Sequence, residues 1–223
     1  MMKQLLAISL VGAAMLVTPA KAQAQDGALQ VKVLGTAVLP DGKITSVNTD
    51  IVGLPADTQT EANDNFVPTL AIEYFVTPQF SLETICCMTQ HDVDAVSGLT
   101  GAELVSDGKL IPATVTAKYH FDLAGAKPYI GAGATYFLWV DVDPGASTLP
   151  LGVTKTDLSD EFGFVLQAGV DVPLNDSGLG LTLDAKRYFV GTTARWYAGD
   201  TLAIETDHDL DPWVLSAGFA YRF

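Results

Sequence analysis

Three histidines and two cysteines are the residues of this 223-residue sequence that could carry nucleophilic or acid–base chemistry. A histidine activates a nucleophile when a serine or cysteine side chain lies beside it. His91 and His208 stand among aspartates rather than beside a candidate serine, and His120 lies in a run where apolar and polar residues alternate. The sequence therefore predicts no catalytic residue and a protein that is not an enzyme.

Acidic residues cluster at several points, and the densest group contains Asp207, His208, Asp209 and Asp211. Oxygen-rich groups of this kind suit Ca²⁺ or Mg²⁺. None of the clusters has the spacing of an EF-hand loop or of a zinc site. We therefore expect solvated acidic loops, with no bound metal and no cofactor.

Cys86 and Cys87 are adjacent, and the sequence contains no other cysteine. A disulfide between neighbours in an extended strand is strained. We expect both thiols to be free, and the sequence assigns them no role.

The composition excludes two broad classes of protein. Hydrophobic residues make up 48% of the chain and charged residues only 17%, whereas disordered chains are poor in apolar residues and rich in charge. The formal net charge of -14 makes the chain a poor binder of nucleic acid.

The first 24 residues have the pattern of a secretory signal peptide. Lys3 precedes an apolar run over residues 5–17, and Ala22 and Ala24 end possible A-x-A cleavage sites. The run is shorter than the roughly 20 apolar residues that a membrane helix needs. We expect residues 1–24 to be removed and residues 25–223 to form the mature domain.

Apolar and polar residues alternate with a period of two in eight segments. In the last one, Trp213, Leu215 and Phe219 share one parity, while Ser216 and Gly218 share the other. This period is typical of β-strands with one apolar face. The eight predicted strands span residues 29–39, 66–76, 80–90, 111–121, 128–140, 162–172, 179–190 and 213–223.

The connections between these strands alternate in length. A soluble β-sandwich would show the same strand period, so the period alone does not decide between a sandwich and a barrel. Alternating long and short connections are typical of outer-membrane barrels, and the long ones hold 16 of the 26 acidic residues. The sequence therefore predicts an all-β fold, an eight-stranded antiparallel transmembrane β-barrel built as an up-and-down meander in the outer membrane. The long connections cover residues 40–65, 92–110, 141–159 and 191–209, and the short ones cover 77–79, 122–127 and 173–178.

The polar faces of the predicted strands carry charges of both signs. Such a set can pair across strands inside a barrel, and the interior of an eight-stranded barrel is just wide enough to be filled by side chains. We therefore expect a polar network in the lumen that acts as a plug rather than a water-filled channel. Its predicted members are Lys32, Glu73, Glu83, Lys118, Gln167, Asp171, Asp184, Lys186 and Arg222.

The fifth predicted strand departs from this polar pattern. Its Gly131 and Gly133 share a parity with Tyr129, Phe137 and Trp139. If the glycines point inward and leave space, the aromatic side chains line an apolar pocket below the third long connection. Tyr129, Phe137 and Trp139 are therefore candidate binding residues for a hydrophobic solute, and the alternative is plain packing or an interfacial girdle position.

Several short motifs together resemble the OmpW family of outer-membrane proteins. They are PYIGAGATY at 128–136, EYFVTPQFSLE at 73–83, and DPWV followed by GFAYRF within 211–223, with support from LIPAT at 110–114, YHF at 119–121, FG at 162–163 and QAGVD at 167–171. The motifs occur in the family's order and cover the second to eighth predicted strands.

The resemblance implies an eight-stranded outer-membrane barrel that passes small hydrophobic molecules. The expected partners are outer-membrane lipids and lipopolysaccharide as well as those solutes. The alternative function is a structural or surface-interaction barrel with a filled interior, which acts through its acidic external loops.

The last predicted strand ends in Phe223, with Tyr221 and Phe219 two and four residues earlier. This ending resembles the signal by which outer-membrane barrels engage their insertion machinery. The alternative is an apolar last strand that merely closes the barrel.

Overall fold

A computed structural model describes residues 28–123 and 125–223, and the predicted signal peptide lies outside the described residues. Among these residues, no helix is both long and apolar enough to cross a membrane. The elements are β1 (Leu29–Leu39), β2 (Lys43–Asp50), β3 (Gln59–Ala62), β4 (Asn65–Phe75), β5 (Phe80–Cys86), β6 (Thr89–Ser97), β7 (Glu103–His120), β8 (Lys127–Pro144), a 3₁₀ turn (Leu149–Leu151), β9 (Lys155–Leu158), β10 (Glu161–Pro173), β11 (Leu179–Phe189), β12 (Gly191–Ala198), β13 (Thr201–Asp209) and β14 (Trp213–Arg222).

Eight of these strands close into a barrel. Their order around the wall is β7-β5-β4-β1-β14-β11-β10-β8, and the pairing of β8 with β7 completes the ring. Each neighbouring pair is antiparallel, from the first and last strands (Val33 opposite Phe219) to the closing pair (Ala117 opposite Ala132). The predicted eight-stranded antiparallel barrel is confirmed.

The apolar parity of the strands faces outward, as predicted. Phe162 on β10 is 79% exposed and Phe219 on β14 is 57% exposed, whereas Val165 and Ala220 are buried. An outward apolar band with an inward polar face is the reverse of a soluble protein and is typical of a transmembrane barrel. The band also contains Val33, Phe66, Leu70, Phe80, Leu82, Val115, Ile130, Phe164, Leu166, Leu183, Leu215 and Tyr221.

The sequence suggested that the long connections are loops. In the structure they are mostly β-strands. β2, β13, β12 and β9 form a separate four-stranded sheet, while β3 and β6 extend the main sheet beside β7. β7 and β8 each run for 18 residues, against the roughly 9–11 that cross a bilayer. We call the part of the wall formed by β2, β3, β6, β9, β12, β13 and the outer ends of β7 and β8 the external extension.

The external extension is stable as β-structure because it buries an apolar core of its own. Trp196 and Ala194 of β12 pack with Val105 of β7 and Ile204 of β13. The Trp196 indole Nε1 donates to the Leu104 carbonyl oxygen at 2.9 Å, which ties the two sheets together. The strand period alone did not reveal this core, because its residues come from segments that looked polar.

The third predicted strand, over residues 80–90, is interrupted. β5 ends at Cys86 and β6 begins at Thr89, so Cys87 and Met88 fall between two strands. The prolines of the flanking strands, Pro68 on β4 and Pro112 on β7, lack the N–H that a ladder hydrogen bond needs. The prediction of one continuous strand was wrong for this reason.

Candidate functional site

The lower half of the barrel interior is filled by lysines and carboxylates. Lys118 Nζ lies 2.9 Å from both Glu73 Oε2 and Glu83 Oε2, and Lys32 Nζ contacts the same two oxygens at 2.8 and 3.0 Å. Lys32 also lies 3.5 Å from Asp171 Oδ1. The four side chains of the two lysines and two glutamates are at most 2% exposed. Each charge is therefore compensated within the protein.

A second set of contacts joins the other side of the wall to this group. Lys186 Nζ lies 2.6 Å from Asp184 Oδ1 and 3.2 Å from Glu83 Oε1. Gln167 Nε2 donates to Glu83 Oε1 at 2.8 Å and to Asp184 Oδ2 at 2.6 Å. We call these residues, together with Lys32, Glu73, Lys118 and Asp171, the polar plug.

The structure places eight of the nine residues predicted for the lumen in the polar plug, and the ninth is Arg222. Arg222 is half-buried near the end of β14, and its guanidinium carbon lies 3.8 Å from the ring centre of Phe75. One further member of the plug, Gln30, was not predicted. Its Nε2 donates to Asp171 Oδ2 at 3.1 Å.

Tyr129 was predicted to line an apolar pocket, but it lies in the polar plug. Its hydroxyl donates to Asp184 Oδ2 at 2.7 Å, and Lys118 Nζ lies 3.7 Å from its ring centre. The strand parity placed Tyr129 correctly inside the barrel. The predicted depth of Tyr129 was wrong. The residue is eight positions below Phe137 along β8 and lies beside the lysines of the plug.

Gly169 on β10 makes room for the Tyr129 ring. A Cβ at Gly169 would stand 2.4 Å from the Tyr129 hydroxyl oxygen and 2.4 Å from the Leu183 carbonyl oxygen. Gly169→Ala should displace Tyr129 from Asp184 and lower the free energy of unfolding by about 1–3 kcal/mol, measured by urea unfolding in lipid vesicles. Tyr129→Phe should lower the free energy of unfolding less in the Gly169→Ala background than in the parent barrel, because the hydrogen bond from Tyr129 to Asp184 is already lost there. Equal costs in the two backgrounds would contradict the coupling.

Ser81, His120 and Glu73 form a hydrogen-bonded group that sequence reasoning missed. His120 Nε2 lies 2.9 Å from Ser81 Oγ and 2.9 Å from Glu73 Oε1, and Ser81 Oγ donates to Glu73 Oε1 at 2.5 Å. All three residues are at most 2% exposed, so a substrate has no access to the serine hydroxyl. The group belongs to the packing of the plug, and only the inward parity of each residue could have indicated it.

Above the polar plug, the interior is apolar. A narrow cavity of about 60 Å³ lies here, between the plug and the core of the external extension. Phe137 and Trp139 line it, together with Leu110 and Val214. The two predicted aromatic residues of β8 therefore do share an apolar cavity, without Tyr129.

Two histidines of the external extension also line the cavity. His91 Nε2 lies 2.8 Å from Thr89 Oγ1, and its Nδ1 lies 2.6 Å from the Asn63 carbonyl oxygen. His208 Nε2 lies 2.6 Å from Thr206 Oγ1. Burial lowers the pKa of both imidazoles below the ordinary value, so both are neutral at neutral pH and bring no charge to the cavity.

The barrel wall beside this cavity lacks part of its hydrogen-bonded ladder. The pairing of β4 with β5 stops at Leu70 and Cys86, and the pairing with β7 skips from Ile85 to Thr89. In this described part of the barrel, Cys87 and Met88 pair with neither neighbouring strand. We call the interruption beside them the wall gap.

The wall gap adjoins both the cavity and the lipid. The thiol-bearing Cys87 lines the cavity, while Met88 is 55% exposed on the outer surface. Above the gap, Asn65 Nδ2 donates to the Gln90 carbonyl oxygen at 2.8 Å. The wall gap is therefore closed below by the pairing of Leu70 with Cys86 and above by the Asn65 hydrogen bond, and it extends over only a few residues along the strands.

The acidic group predicted as solvated loop is part of β13 and its continuation. Asp207 accepts hydrogen bonds from Asn48 Nδ2 at 3.0 Å, from Ser46 Oγ at 2.8 Å and from Thr193 Oγ1 at 2.8 Å. These donors hold the pKa of Asp207 below its ordinary value. The carboxylate therefore links three strands of the external extension.

The terminal strand places Phe219, Tyr221 and Phe223 on the outer surface, and Phe223 is 64% exposed. If the last strand carries the predicted signal for the insertion machinery, deletion of Phe223 should lower the amount of assembled barrel in the outer membrane severalfold, because its exposed ring is available for recognition. Heat-modifiable migration on gels measures assembly. Phe121→Ala removes another exposed aromatic residue and should assemble normally. Unchanged assembly without Phe223 would leave the strand with a closing role only.

Comparisons with known proteins agree with this architecture. The OmpW family matches residues 25–223. An outer-membrane protein of Sinorhizobium fredii is 33% identical, with 95% of this chain and 89% of the relative covered. Outer membrane protein W of Vibrio cholerae is 28% identical, with 85% of this chain and 89% of the relative covered.

The fold is also that of a solved outer-membrane protein. The crystal structure of OprG from Pseudomonas aeruginosa is similar, with a TM-score of 0.79 and 23% identity over 89% of this chain and 96% of that chain. The matched family and both relatives are outer-membrane proteins, which locates this protein in the outer membrane. The chain belongs to the OmpW family of outer-membrane proteins.

Proposed function

We propose that the protein is a passive conduit for small hydrophobic molecules across the outer membrane. The observation that carries this proposal is the apolar cavity inside the barrel, which adjoins the wall gap at Cys87. A structural barrel has no need of an apolar cavity next to an interrupted wall. Enclosed apolar pockets are the usual binding sites of apolar ligands.

The polar plug supports a sideways exit rather than a path straight through the barrel. An apolar molecule in the plug would separate Lys118 from Glu73 and Glu83, which are 2.9 Å from it. Breaking a buried ion pair costs about 3–5 kcal/mol. A solute in the cavity therefore avoids the periplasmic half of the barrel.

The wall gap supplies the sideways route in this proposal. Pro68 and Pro112 flank it, and neither has a backbone N–H to donate. Separating the strands here breaks no ladder hydrogen bond of Cys87 or Met88, because the described structure has none. The energetic cost of opening is thus lowest at the depth where Cys87 faces the cavity.

Uptake into liposomes that contain lipopolysaccharide in the outer leaflet tests the proposal. The protein should accelerate entry of the apolar fluorophore N-phenyl-1-naphthylamine and leave the entry of glucose unchanged. Protein-free liposomes give the baseline for both solutes. Equal uptake of the fluorophore with and without protein would contradict the conduit and favour the structural alternative, which acts through the acidic external surface.

A further inference from the structure

We propose that the preferred solute is a neutral apolar molecule with one hydrogen-bond acceptor, such as a ketone, aldehyde or ester, and that Trp139 Nε1–H binds this acceptor. The proposal rests on the proposed conduit and specifies the class of molecule that its cavity takes. It follows from an inventory of the polar atoms that line the cavity.

Trp139 carries a buried donor that has no partner. Its indole lines the cavity and packs against both apolar clusters of the interior. Among the described residues, no acceptor forms a hydrogen bond with its Nε1. An unpaired buried donor destabilises the folded protein, and an apolar cavity stays dry, so water does not offset this cost.

The other side-chain nitrogen and oxygen atoms that line the cavity already have hydrogen-bond partners. Trp196 Nε1 donates to the Leu104 carbonyl oxygen, Thr192 Oγ1 donates to the Ser159 carbonyl oxygen at 2.9 Å, and the Tyr188 hydroxyl lies 3.4 Å from Thr114 Oγ1. Thr89 is bonded to His91, and His208 is bonded to Thr206. Cys87 also lines the cavity, but its thiol is only a weak hydrogen-bond donor. Among the described residues that line the cavity, the Trp139 indole is therefore the one buried N–H or O–H donor left free for a solute.

The preferred solute carries neither a hydrogen-bond donor nor a charge, because the cavity offers no partner for either. A donor on the solute, such as an alcohol O–H, would have to displace an existing hydrogen bond to find an acceptor. A charged group would be buried without a counter-ion, because both histidines are neutral and the lysines lie in the plug. Burial of such groups without partners is costly. The affinity of the cavity should therefore decrease from ketone to alcohol to alkane, and carboxylates should not bind.

The register places Trp139 close to the wall gap. Thr89 is opposite Leu110, and Leu110 is opposite Trp139. These residues form one inward row across three neighbouring strands, and the row begins at the upper end of the gap. An acceptor held by Trp139 would keep an apolar tail of a few carbons within reach of Cys87.

Nuclear magnetic resonance of the indole groups tests binding separately from transport. The sequence has three tryptophans, so ¹⁵N-tryptophan labelling in lipid nanodiscs gives a simple spectrum, and Trp139→Phe assigns one signal. Addition of 2-heptanone should move the Trp139 signal downfield, while heptane should leave its shift close to the starting value. Trp196, which is already hydrogen-bonded, and Trp213, which faces lipid, are internal controls for partitioning of the probes into the nanodisc.

Competition binding gives the second measurement. The affinity for 2-heptanone relative to heptane should fall about fivefold in Trp139→Phe, the effect of one neutral hydrogen bond. The Phe variant keeps an aromatic ring, so loss of packing affects both probes and cancels in the ratio. An unchanged ratio, or equal shifts of the Trp139 signal with both probes, would overturn the proposal. Failure of the conduit would instead appear as absent uptake with intact ketone binding.

Discussion

Lys118→Met should lower the free energy of unfolding by about 3 kcal/mol, because it removes one partner of a buried ion network. Its ammonium is fully enclosed and lies 2.9 Å from two glutamates. We expect the lower end of the usual range, since Lys32 still contacts Glu73 and Glu83 at 2.8 and 3.0 Å. Urea unfolding in lipid vesicles, followed by tryptophan fluorescence, measures the loss.

Lys109→Met is the matched control for this substitution. Lys109 forms an ion pair of the same length with Asp141, at 2.9 Å, but both side chains are open to solvent on the external extension. Exposed pairs of this kind contribute little to stability. If the two lysine variants unfold at the same urea concentration, the polar plug does not hold the strands together.

A disulfide across the wall gap should abolish uptake of the apolar fluorophore. Thr69 and Cys87 both face inward, and the side chain of Thr69 lies beside the Cys87 thiol. Directly opposite residues of antiparallel strands are close enough for a disulfide. In Thr69→Cys combined with Cys86→Ser, oxidation should reduce uptake to that of protein-free liposomes, and reduction should restore it.

A second crosslink, away from the gap, provides the control. Thr114 and Thr135 are opposite each other on β7 and β8, with their hydroxyl oxygens 2.8 Å apart. Thr114→Cys with Thr135→Cys, in a background where Cys86 and Cys87 are serines, joins strands whose ladder is complete. Its oxidation should leave uptake unchanged. Normal uptake through the oxidised Thr69→Cys barrel would contradict the sideways exit.

The strand period was sufficient to predict the barrel because each inward or outward position is a binary choice. Lys32, Glu83 and Lys186 could be assigned to one interior on parity alone, since lipid excludes their charges. The depth of each residue was not predictable in the same way. Tyr129 and Phe137 share a strand and a parity, and only the register with neighbouring strands separates plug from cavity.

The external extension and the wall gap could not be predicted from the sequence, because each depends on contacts between segments that are far apart in the chain. Trp196 and Val105 are 91 positions apart, and neither of their segments has a clear apolar period. Pro68 and Pro112 each look tolerable in a strand, and the interruption arises because both flank the same two residues. The unpaired indole N–H of Trp139 was not predictable either, because it results from the positions of side chains on several strands.

The 18-residue length of β7 and β8 determines how far the protein rises above the hydrocarbon. At about 3.4 Å per residue and a tilt near 40°, such a strand gains about 45 Å of height, against an apolar band of about 25 Å. About 20 Å of rigid wall therefore stands beyond the acyl chains. That height exceeds the interfacial layer of one leaflet, which is less than about 10 Å thick. A molecule captured at the top would pass the charged head groups while enclosed by protein.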